Sequence, residues 1–429
     1  MAIAEAELKS KQSIKLSLIK PMDGTFKNNF DIPIHRWYPY IEGFSINFVR
    51  SILNNYNSNI VVYDPFNGSG TTTLTASTMG IKSYASEVNP FMRFIANTKV
   101  NVVKSILENN DYFVLNKIFK DLCDKLLDKN YRKDLTKKCN TINDCYKEKD
   151  FFDKKVLQDI SYIKYLIKNI ENDDVKDLAL LCLASIAVEI SNMIRAADLR
   201  KKTSKEKEST ANNTIDLFIQ KFSNVISDIQ TVKNIDFETT EFISDNAKFI
   251  SEKYYNSVDV IITSPPYVNG TNYFRNTKLE LWILDFISQE TDLKTYRERA
   301  ITAGINNVSV NNKIIPLDIV EPYAMQLDKL STDKRIPKMI RAYFSDMNIV
   351  FNNFNLLLKN NGRIYFDIGD SEYYGVHIPV DELIISIAKN NSFKLVESRL
   401  LRKRHSKTGN TLSQKLLIFD KVGDARTIM

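Results

Sequence analysis

Glycine and proline, the residues that most often end helices and strands, are scarce in this chain. Its 429 residues include 12 glycines and 11 prolines. No glycine lies between Gly80 and Gly270, and no proline lies between Pro90 and Pro265. This interval of about 170 residues is rich in Leu, Ile, Lys, Asp and Glu, so its composition predicts a mainly helical segment. We therefore expect an α/β body interrupted by a helical insertion, with no internal repeat.

Cysteine and histidine are also few, which excludes the common zinc and disulfide frameworks. The four cysteines form no Cys-x-x-Cys pair, and there are only three histidines, so we expect no metal site and a reduced, cytoplasmic protein. No apolar run reaches the roughly 18 residues of a membrane span, and the start of the chain lacks the apolar core of a signal peptide. The longest apolar run, Leu178 to Val188, is interpreted as a core helix.

The net charge gives a weak indication of the partner. The chain carries 59 basic and 52 acidic residues, a net charge of +7. This excess is compatible with a polyanion such as nucleic acid and does not require one.

The most informative stretch runs from Val258 to Tyr267. Its first six residues are mostly apolar or β-branched and predict a buried strand, which Pro265 and Pro266 must end. The fixed φ angles of the two prolines would orient the Ser264 hydroxyl and the Pro265 carbonyl beside the ring of Tyr267. Two acceptors next to a flat ring suit a planar base that carries an exocyclic amine. The alternative is an ordinary strand-to-loop exit.

A second informative stretch lies near the start of the α/β body. Residues 59–64 predict a strand, 65–70 a glycine-containing turn, and 71–79 a helix that Gly80 ends. A turn of this kind brings backbone N–H groups toward an anion or a polar cofactor. The next strand, residues 82–86, ends in Glu87, where an acid can accept hydrogen bonds from ribose hydroxyls. No third glycine follows, which favours a nucleoside cofactor without a pyrophosphate; a purely structural βαβ unit is the alternative.

Three other regions have weaker signals. Residues 1–25 predict a tail or arm, and the aromatic and basic residues around Pro39 predict either a binding lip or packing on the body. Within the helical segment, the periodicity continues through Arg195 toward Asp198, and residues 201–208 predict a solvated loop. In the second half, Ser244-Asp245-Asn246 predicts a polar turn after a third strand, beside the cofactor crevice.

The remaining elements complete the predicted sheet. An amphipathic helix is expected from about Thr271 to Phe286, followed by a long loop over residues 296–337. A helix from Tyr343 is expected to end at a cap formed by residues 360–362. A strand at 363–368, a helix at 381–388 and strands near 395–400 and 414–419 follow, with a basic loop at 402–407.

Together these residues resemble the amino-group DNA methyltransferases. Asp64-Pro65-Phe66-Asn67-Gly68-Ser69-Gly70 is similar to the cofactor motif of that family, and Thr263-Ser264-Pro265-Pro266-Tyr267 is similar to its catalytic motif in the Ser-Pro-Pro-Tyr variant. The resemblance implies a Rossmann-like class I methyltransferase fold, with a mostly parallel seven-stranded sheet whose last strand is antiparallel. It covers residues 30–100 and 235–420. The order of the motifs is similar to the family arrangement in which the target-recognition region lies between them.

The resemblance implies a domain division, a cofactor and a partner. The catalytic domain would comprise residues 26–110 and 235–425, with a helical insertion at 111–234 that is a candidate recognition region. The cofactor would be S-adenosylmethionine, and the partner would be double-stranded DNA with a flipped target base, with a cognate restriction endonuclease as a further candidate partner. The expected cofactor-binding residues are Asp64, Phe66, Gly68, Gly70, Thr71, Glu87, Asp245 and Thr263, with Asp245 on the adenine side.

The expected catalytic residues are Ser264, Pro265, Pro266 and Tyr267. Family members with Ser before Pro-Pro usually methylate N4 of cytosine, and those with Asp or Asn usually methylate N6 of adenine. Cytosine N4 is therefore the expected target and adenine N6 the alternative. An RNA methyltransferase and a catalytically silent nucleic-acid-binding module are further alternatives.

Overall fold

A seven-stranded sheet forms the centre of the protein. The computed structural model describes residues 19–39, 43–136, 141–195, 199–208, 213–268, 273–308, 313–405 and 409–422. The sheet has the order β10-β11-β7-β6-β1-β2-β5. Its strands are β1 (Val61–Asp64), β2 (Lys82–Ser86), β5 (Thr240–Ser244), β6 (Val258–Thr263), β7 (Leu358–Gly369), β10 (Phe393–His405) and β11 (Thr411–Lys421). Two separate hairpins pair β3 (Met193–Arg195) with β4 (Leu199–Lys201) and β8 (Ser371–Tyr373) with β9 (Val376–Ile378).

The pairing of the strands confirms the predicted Rossmann-like fold. All neighbours are parallel except for β11, which is antiparallel to both β7 and β10. Strand β6, which carries the first half of the Val258–Tyr267 stretch, lies between β1 and β7. From β1, the chain adds β2 and β5 on one side of the sheet and then β6 and β7 on the other, so the strand order reverses between β1 and β6. Ligands of open α/β sheets bind at such a reversal.

Helices cover both faces of the sheet and build the insertion. The helices before the insertion are α1 (Ile46–Leu53), α2 (Thr71–Thr78), α3 (Pro90–Asn97) and α4 (Val103–Glu108). Those of the insertion are α5 (Tyr112–Leu127), α6 (Lys129–Thr136), α7 (Lys154–Lys168), α8 (Asp173–Ile190), α9 (Ser204–Glu208) and α10 (Thr214–Thr231). The remaining helices are α11 (Tyr273–Asn276), α12 (Lys278–Ile283), α13 (Asp292–Arg299), α14 (Glu321–Leu330), α15 (Arg335–Leu357) and α16 (Val380–Asn390).

Helices between residues 112 and 231 share one hydrophobic core with elements that lie next to the sheet. The apolar residues of α8, from Val175 to Ile190, pack with α5, α7 and α10 in one cluster. The same cluster includes Trp37 near the N-terminus and Trp282 in α12. Two other clusters lie against the sheet. Because one apolar cluster includes parts of both regions, the insertion is packed firmly against the elements that surround the sheet.

The prediction of continuous helix beyond residue 190 is wrong. Helix α8 ends at Ile190, and Met193–Arg195 pairs with Leu199–Lys201 as a hairpin. Asn192 donates hydrogen bonds to Asp150 and Asp153 at 3.1 and 3.0 Å. These contacts come from residues about 40 positions earlier, so the helical periodicity could not reveal them. Residues 196–198 and 209–212 lie outside the described part of the chain, and residues 204–208 form α9 rather than a loop.

Two further predictions after β6 need correction. The single helix expected from Thr271 to Phe286 is two short helices, α11 and α12, which Thr277 separates; residues 269–272 lie outside the described part of the chain. The loop expected over residues 296–337 contains the end of α13, all of α14 and the start of α15. Pro322 lies in the first turn of α14. Backbone N–H groups in the first turn have no partner within the helix, so proline, which lacks an N–H, is tolerated there.

The expected cap at residues 360–362 is also wrong, because helix α15 ends earlier. The last carbonyls of α15, at Leu356 and Leu357, accept hydrogen bonds from the N–H groups of Asn256 and Ser257. The chain then continues directly into β7 at Leu358. The basic residues 402–405 likewise belong to strand β10 rather than to a loop, while residues 406–408 lie outside the described part. In both cases pairing with a neighbouring strand extends β structure beyond the apolar residues.

The described part of the predicted N-terminal arm packs on the body. Residues 1–18 lie outside the described part of the chain, and a short helical turn spans Pro21–Gly24. The buried carboxylate of Asp23 accepts a hydrogen bond from the hydroxyl of Ser45 at 3.2 Å. This contact ties the turn to the start of α1. None of the described helices is both long enough and apolar enough to cross a membrane.

Candidate active site

One cavity of about 380 Å³ lies beside the carboxyl ends of β1, β2 and β6. Of the twelve residues that the sequence analysis selects, nine line it: Asp64, Phe66, Gly68, Thr71, Glu87, Ser264, Pro265, Pro266 and Tyr267. Gly70, Thr263 and Asp245 do not line it. The two motifs, about 200 positions apart in the sequence, therefore meet because parallel strands place their carboxyl ends on the same edge of the sheet.

The glycine turn has the conformation that its residues permit. Gly68 and Gly70 both have left-handed backbone angles, with φ of 49° and 86°. A Cβ at Gly70 would lie 2.9 Å from Cβ of Ala96, so glycine at this position allows α3 to pack against the turn. Gly70 thus faces Ala96 of α3, whereas Gly68 borders the cavity.

A buried lysine supports the turn on the side away from the cavity. The ammonium group of Lys99 donates hydrogen bonds to the carbonyl oxygens of Ser69 and His35, at 3.3 and 3.2 Å. Burial lowers the pKa of Lys99 to about 7. Lys99 lies in a π-helical turn, Thr98–Val102, that follows α3. Its side chain therefore joins the glycine turn to the N-terminal segment.

Asp64, at the end of β1, borders the cavity and is held in place by two hydrogen bonds. Its carboxylate accepts one from the hydroxyl of Thr263 at 2.7 Å and one from the N–H of Phe66 at 3.0 Å. Burial raises the pKa of Asp64 to about 6, and the bonds from Thr263 and Phe66 oppose this shift. Thr263 itself lies behind Asp64, so its contact with a cofactor would be indirect.

Glu87, after β2, is held by backbone groups on both sides. One carboxylate oxygen accepts a hydrogen bond from the N–H of Gly68 at 2.7 Å, and the other accepts from the N–H of Asn89 at 2.8 Å. Burial raises the pKa of Glu87 to about 7, and the nearby charge of Asp64 adds to this increase. Each oxygen keeps a further lone pair for a hydroxyl donor.

Asn67 presents a buried hydrogen-bond donor at the same cavity. Its side-chain oxygen accepts a hydrogen bond from the hydroxyl of Thr73 at 3.1 Å. Within the described ranges, no group accepts a hydrogen bond from its side-chain nitrogen. A buried donor without a partner costs free energy unless a ligand or water satisfies it.

Asp245 lies outside the cavity, although its neighbours line it. Its carboxylate forms an ion pair with Arg299 and accepts a hydrogen bond from the side chain of Asn246 at 2.9 Å. Asn246 and Ala247 line the cavity instead. The turn predicted beside the cofactor crevice therefore borders the cavity through Asn246 and Ala247 rather than through Asp245.

The expected catalytic residues Ser264, Pro265, Pro266 and Tyr267 line the same cavity. The hydroxyls of Ser264 and Tyr267 lie 3.4 Å apart. Burial raises the pKa of Tyr267 well above its ordinary value, and the neighbouring charge of Asp367 adds to this effect. Tyr267 is therefore a neutral ring at physiological pH, available for stacking.

Behind Tyr267 lies a polar network that the sequence analysis missed. The side-chain nitrogen of Gln414 donates to both carboxylate oxygens of Asp367, each at 2.8 Å. The oxygen of the same amide accepts a hydrogen bond from Nε of Arg402 at 2.6 Å. Burial raises the pKa of Asp367 to about 6. The only sequence signal for this network was the spacing of Arg402 and Arg404, because residues two positions apart lie on the same face of a β-strand.

Comparison with known proteins relates this chain to methyltransferases. No family model matches it. It is 24% identical to the type II methyltransferase M.BsoBI of Geobacillus stearothermophilus, covering 91% of this chain and 84% of that protein. It is also 24% identical to the type II methyltransferase M.AvaI of Anabaena variabilis, with coverages of 86% and 81%. The type II methyltransferase M.MvaI of Kocuria varians is 20% identical, with coverages of 76% and 74%.

Among solved structures, the chain is similar to a SAM-dependent methyltransferase from Methanosarcina mazei. The match has 9% sequence identity and covers 86% of this chain and 96% of that chain. Its TM-score is 0.31, so we base no conclusion on it. Each of these three sequence relatives is a type II methyltransferase and is matched over most of its length.

Proposed function

We propose that this protein is a DNA methyltransferase that transfers a methyl group from S-adenosylmethionine to N4 of cytosine in a specific sequence. The observation that carries the proposal is the shared cavity, which brings the Asp64 turn and the Ser264 motif together. The sequence relatives are type II methyltransferases, which supports a place in a restriction-modification system. In such a system the partner would be double-stranded DNA, and a cognate endonuclease would cut unmodified sites.

The residues around the glycine turn fit the polar groups of S-adenosylmethionine. Glu87 would accept hydrogen bonds from the ribose hydroxyls, and Asp64 would face the amino group of the methionine part. The side-chain nitrogen of Asn67 would donate to the carboxylate of that part, since this buried donor otherwise has no acceptor in the described structure. Asn246 and Ala247 take the place first expected for Asp245, on the adenine side. When bound, the cofactor supplies an electrophilic methyl group on a sulfonium centre.

The catalytic motif would activate the base. The exocyclic amine of cytosine is a poor nucleophile because its lone pair is delocalised into the ring. Hydrogen bonds from the amine to the Ser264 hydroxyl and the Pro265 carbonyl would favour a tetrahedral nitrogen and localise that pair. Tyr267 would stack on the base and offset part of the cost of flipping it, about a few kcal/mol.

The choice of base rests on Ser264. A hydroxyl is a neutral acceptor, whereas the Asp of many adenine-specific family members brings a negative charge to this position. Cytosine N4 is therefore the proposed target. Adenine N6 is the second candidate, because both amines present the same two donors to the motif.

The decisive experiment measures modified bases directly. The protein is expressed in a host that lacks DNA methylation, and digested DNA and RNA are analysed by mass spectrometry. We expect N4-methylcytosine in DNA, and much less of it in DNA from a host that expresses the Ser264→Ala variant. N6-methyladenine alone would overturn the choice of base. Methylated RNA without methylated DNA would identify an RNA methyltransferase, and cofactor binding with no methylation would identify a silent binding module.

A further inference from the structure

Arg404 lies at the edge of the cavity, next to the catalytic motif. Its guanidinium carbon is 5.7 Å from the centre of the Tyr267 ring, and both residues line the cavity. One nitrogen of the guanidinium, Nη2, donates a hydrogen bond to the carbonyl of Asp370 at 3.1 Å. Arg404 is thus fixed on strand β10 beside the ring proposed to stack on the target base.

Gly369 leaves the space that Arg404 occupies. A Cβ at this position would lie 2.6 Å from Nη2 of Arg404 and 3.3 Å from a ring carbon of Tyr267. Any other residue at 369 would displace the guanidinium from the tyrosine. The approach of Arg404 to Tyr267 therefore depends on a glycine at the end of β7.

Arg402 and Arg404 lie on the same face of β10 but differ in their partners. Arg402 uses Nε to hold Gln414, which in turn holds Asp367. Nε of Arg404 is buried, and no acceptor for it is found among the described residues. Asp367 already accepts two hydrogen bonds from Gln414. Arg402 and Gln414 also line the cavity, but Nε of Arg402 is bound to Gln414, whereas Nε of Arg404 has no acceptor among the described residues.

We propose that Arg404 binds a phosphate group of the flipped target nucleotide and so holds that nucleotide against Tyr267. This inference rests on the proposed function. The planar guanidinium presents paired donors that match the oxygens of a phosphate. In the proposed function, Ser264 and Pro265 bind the amine of the base, and Tyr267 stacks on its ring. The part of the nucleotide that remains for Arg404 is its phosphate backbone.

The test compares Arg404→Gln with Lys403→Gln. Lys403 is adjacent on the same strand, exposed, and absent from the cavity lining, so the control removes the same charge from the opposite face. The methylation site is first located by sequencing modified bases. We expect Arg404→Gln to raise KM for duplex DNA about ten- to hundredfold, with little change in KM for Lys403→Gln. Calorimetry should show unchanged cofactor affinity for both variants.

A modified substrate distinguishes a phosphate contact from a base contact. In one duplex, neutral methylphosphonates replace the phosphates that flank the target nucleotide; in another, the target base is absent. Wild type should bind the methylphosphonate duplex as weakly as Arg404→Gln binds ordinary DNA, and Arg404→Gln should lose little further affinity. If the variant instead loses as much as wild type does on the methylphosphonate duplex, the proposal is wrong. If the contribution of Arg404 disappears only with the abasic duplex, the contact is to the base and the proposal is also wrong.

Two further measurements distinguish a failure of this inference from misfolding of a variant and from a failure of the proposed function. Gly369→Ala retains every charge and should reproduce the loss by displacing Arg404. A loss of affinity by wild type on the methylphosphonate duplex shows that some group contacts the phosphate, and the comparison with Arg404→Gln, after circular dichroism confirms that the variant is folded, assigns that contact to Arg404. A wild-type protein that methylates no DNA would overturn the proposed function. A methylating wild type with an equally efficient Arg404→Gln variant would overturn this inference alone.

Discussion

The hydroxyl of Thr263 donates a 2.7 Å hydrogen bond to the carboxylate of Asp64. This bond joins the last residue of β6 to the last residue of β1. It therefore links the segment assigned to base activation with the segment assigned to cofactor binding. Because both residues are buried, a shift of one strand end would alter the position of the other group.

We predict that Thr263→Val weakens cofactor binding. Valine keeps the shape of threonine but removes the donor, which costs about 1.5–3 kcal/mol for a bond to a charged group. Since the bond from Thr263 opposes the effect of burial on the pKa of Asp64, its loss should raise that pKa further. Calorimetry near pH 7 should show a lower affinity, and Thr263→Ser should retain most of the wild-type affinity. Equal affinity in Thr263→Val would show that the bond does not support the site.

We predict that cofactor affinity depends on the ionisation of Glu87. The pKa of this group is about 7, so between about pH 6 and 8 the carboxylate ionises and becomes a stronger acceptor for ribose hydroxyls. Affinity should rise over this range in wild type and vary less in Glu87→Gln. Calorimetry at several pH values measures both. If Glu87→Ala binds as tightly as wild type, Glu87 does not hold the ribose.

The same pKa shift has the opposite effect on the stability of the protein without cofactor. A carboxyl group whose pKa is raised on folding keeps its proton in the folded state at pH values where the unfolded chain has released it. Its contribution to the free energy of unfolding is therefore present below the ordinary pKa of 4.5 and lost as the pH rises to about 7. Urea unfolding of wild type and Glu87→Gln should show wild type losing stability relative to the variant over this range.

We predict that the two parts of the catalytic motif affect different steps. Ser264→Ala should lower the methylation rate on the order of a hundredfold while cofactor affinity survives, by analogy with the loss of one oxyanion-hole donor. Tyr267→Ala should weaken capture of the base by about 1–3 kcal/mol. Tyr267→Phe keeps the ring and is the matched control. Steady-state kinetics with duplex DNA separate the effects, and an unchanged rate in Ser264→Ala would contradict the proposed activation.

We predict that residues 111–234 or residues 296–337 determine the target sequence. Among the described residues, neither region contributes a strand to the seven-stranded sheet. Both regions pack against the elements around the sheet, so an exchanged segment must keep the buried apolar positions. Exchanging either region for that of a type II methyltransferase with another specificity should move the methylation site, as read by sequencing of modified bases. If the site stays the same after both regions are exchanged, recognition lies elsewhere.

We predict that Asp228 in α10 is essential for attaching the N-terminal segment. Its buried carboxylate accepts hydrogen bonds from the backbone of Ile34 and the side chains of Arg36 and Trp37. Asp228→Ala should lower the free energy of unfolding by about 2–4 kcal/mol, because it leaves the buried N–H groups of Ile34 and of the Trp37 ring without an acceptor. Asp144→Ala, at an exposed ion pair with Lys147, should cost about 1 kcal/mol or less. Urea unfolding measures both.

The sequence alone determined the local elements whose residues carry their own signal. The apolar residues of β6 and the prolines after it defined the strand and its end, and Gly68 and Gly70 defined the turn between β1 and α2. The long interval without glycine or proline correctly indicated helices. These features depend on contacts and conformations within a few residues, which the order of amino acids specifies directly.

Only the tertiary structure decided which side chains meet. Pairing with β11 extends strand β10 to His405, where the sequence pattern indicated a loop. This extension places the guanidinium of Arg404 next to the ring of Tyr267. Asp245 pairs with Arg299 and does not line the cavity, and hydrogen bonds from Asn256 and Ser257 accompany the early end of α15. Each outcome depends on groups from distant parts of the chain, and their contact energies outweigh a local preference that is worth only about 1 kcal/mol per residue.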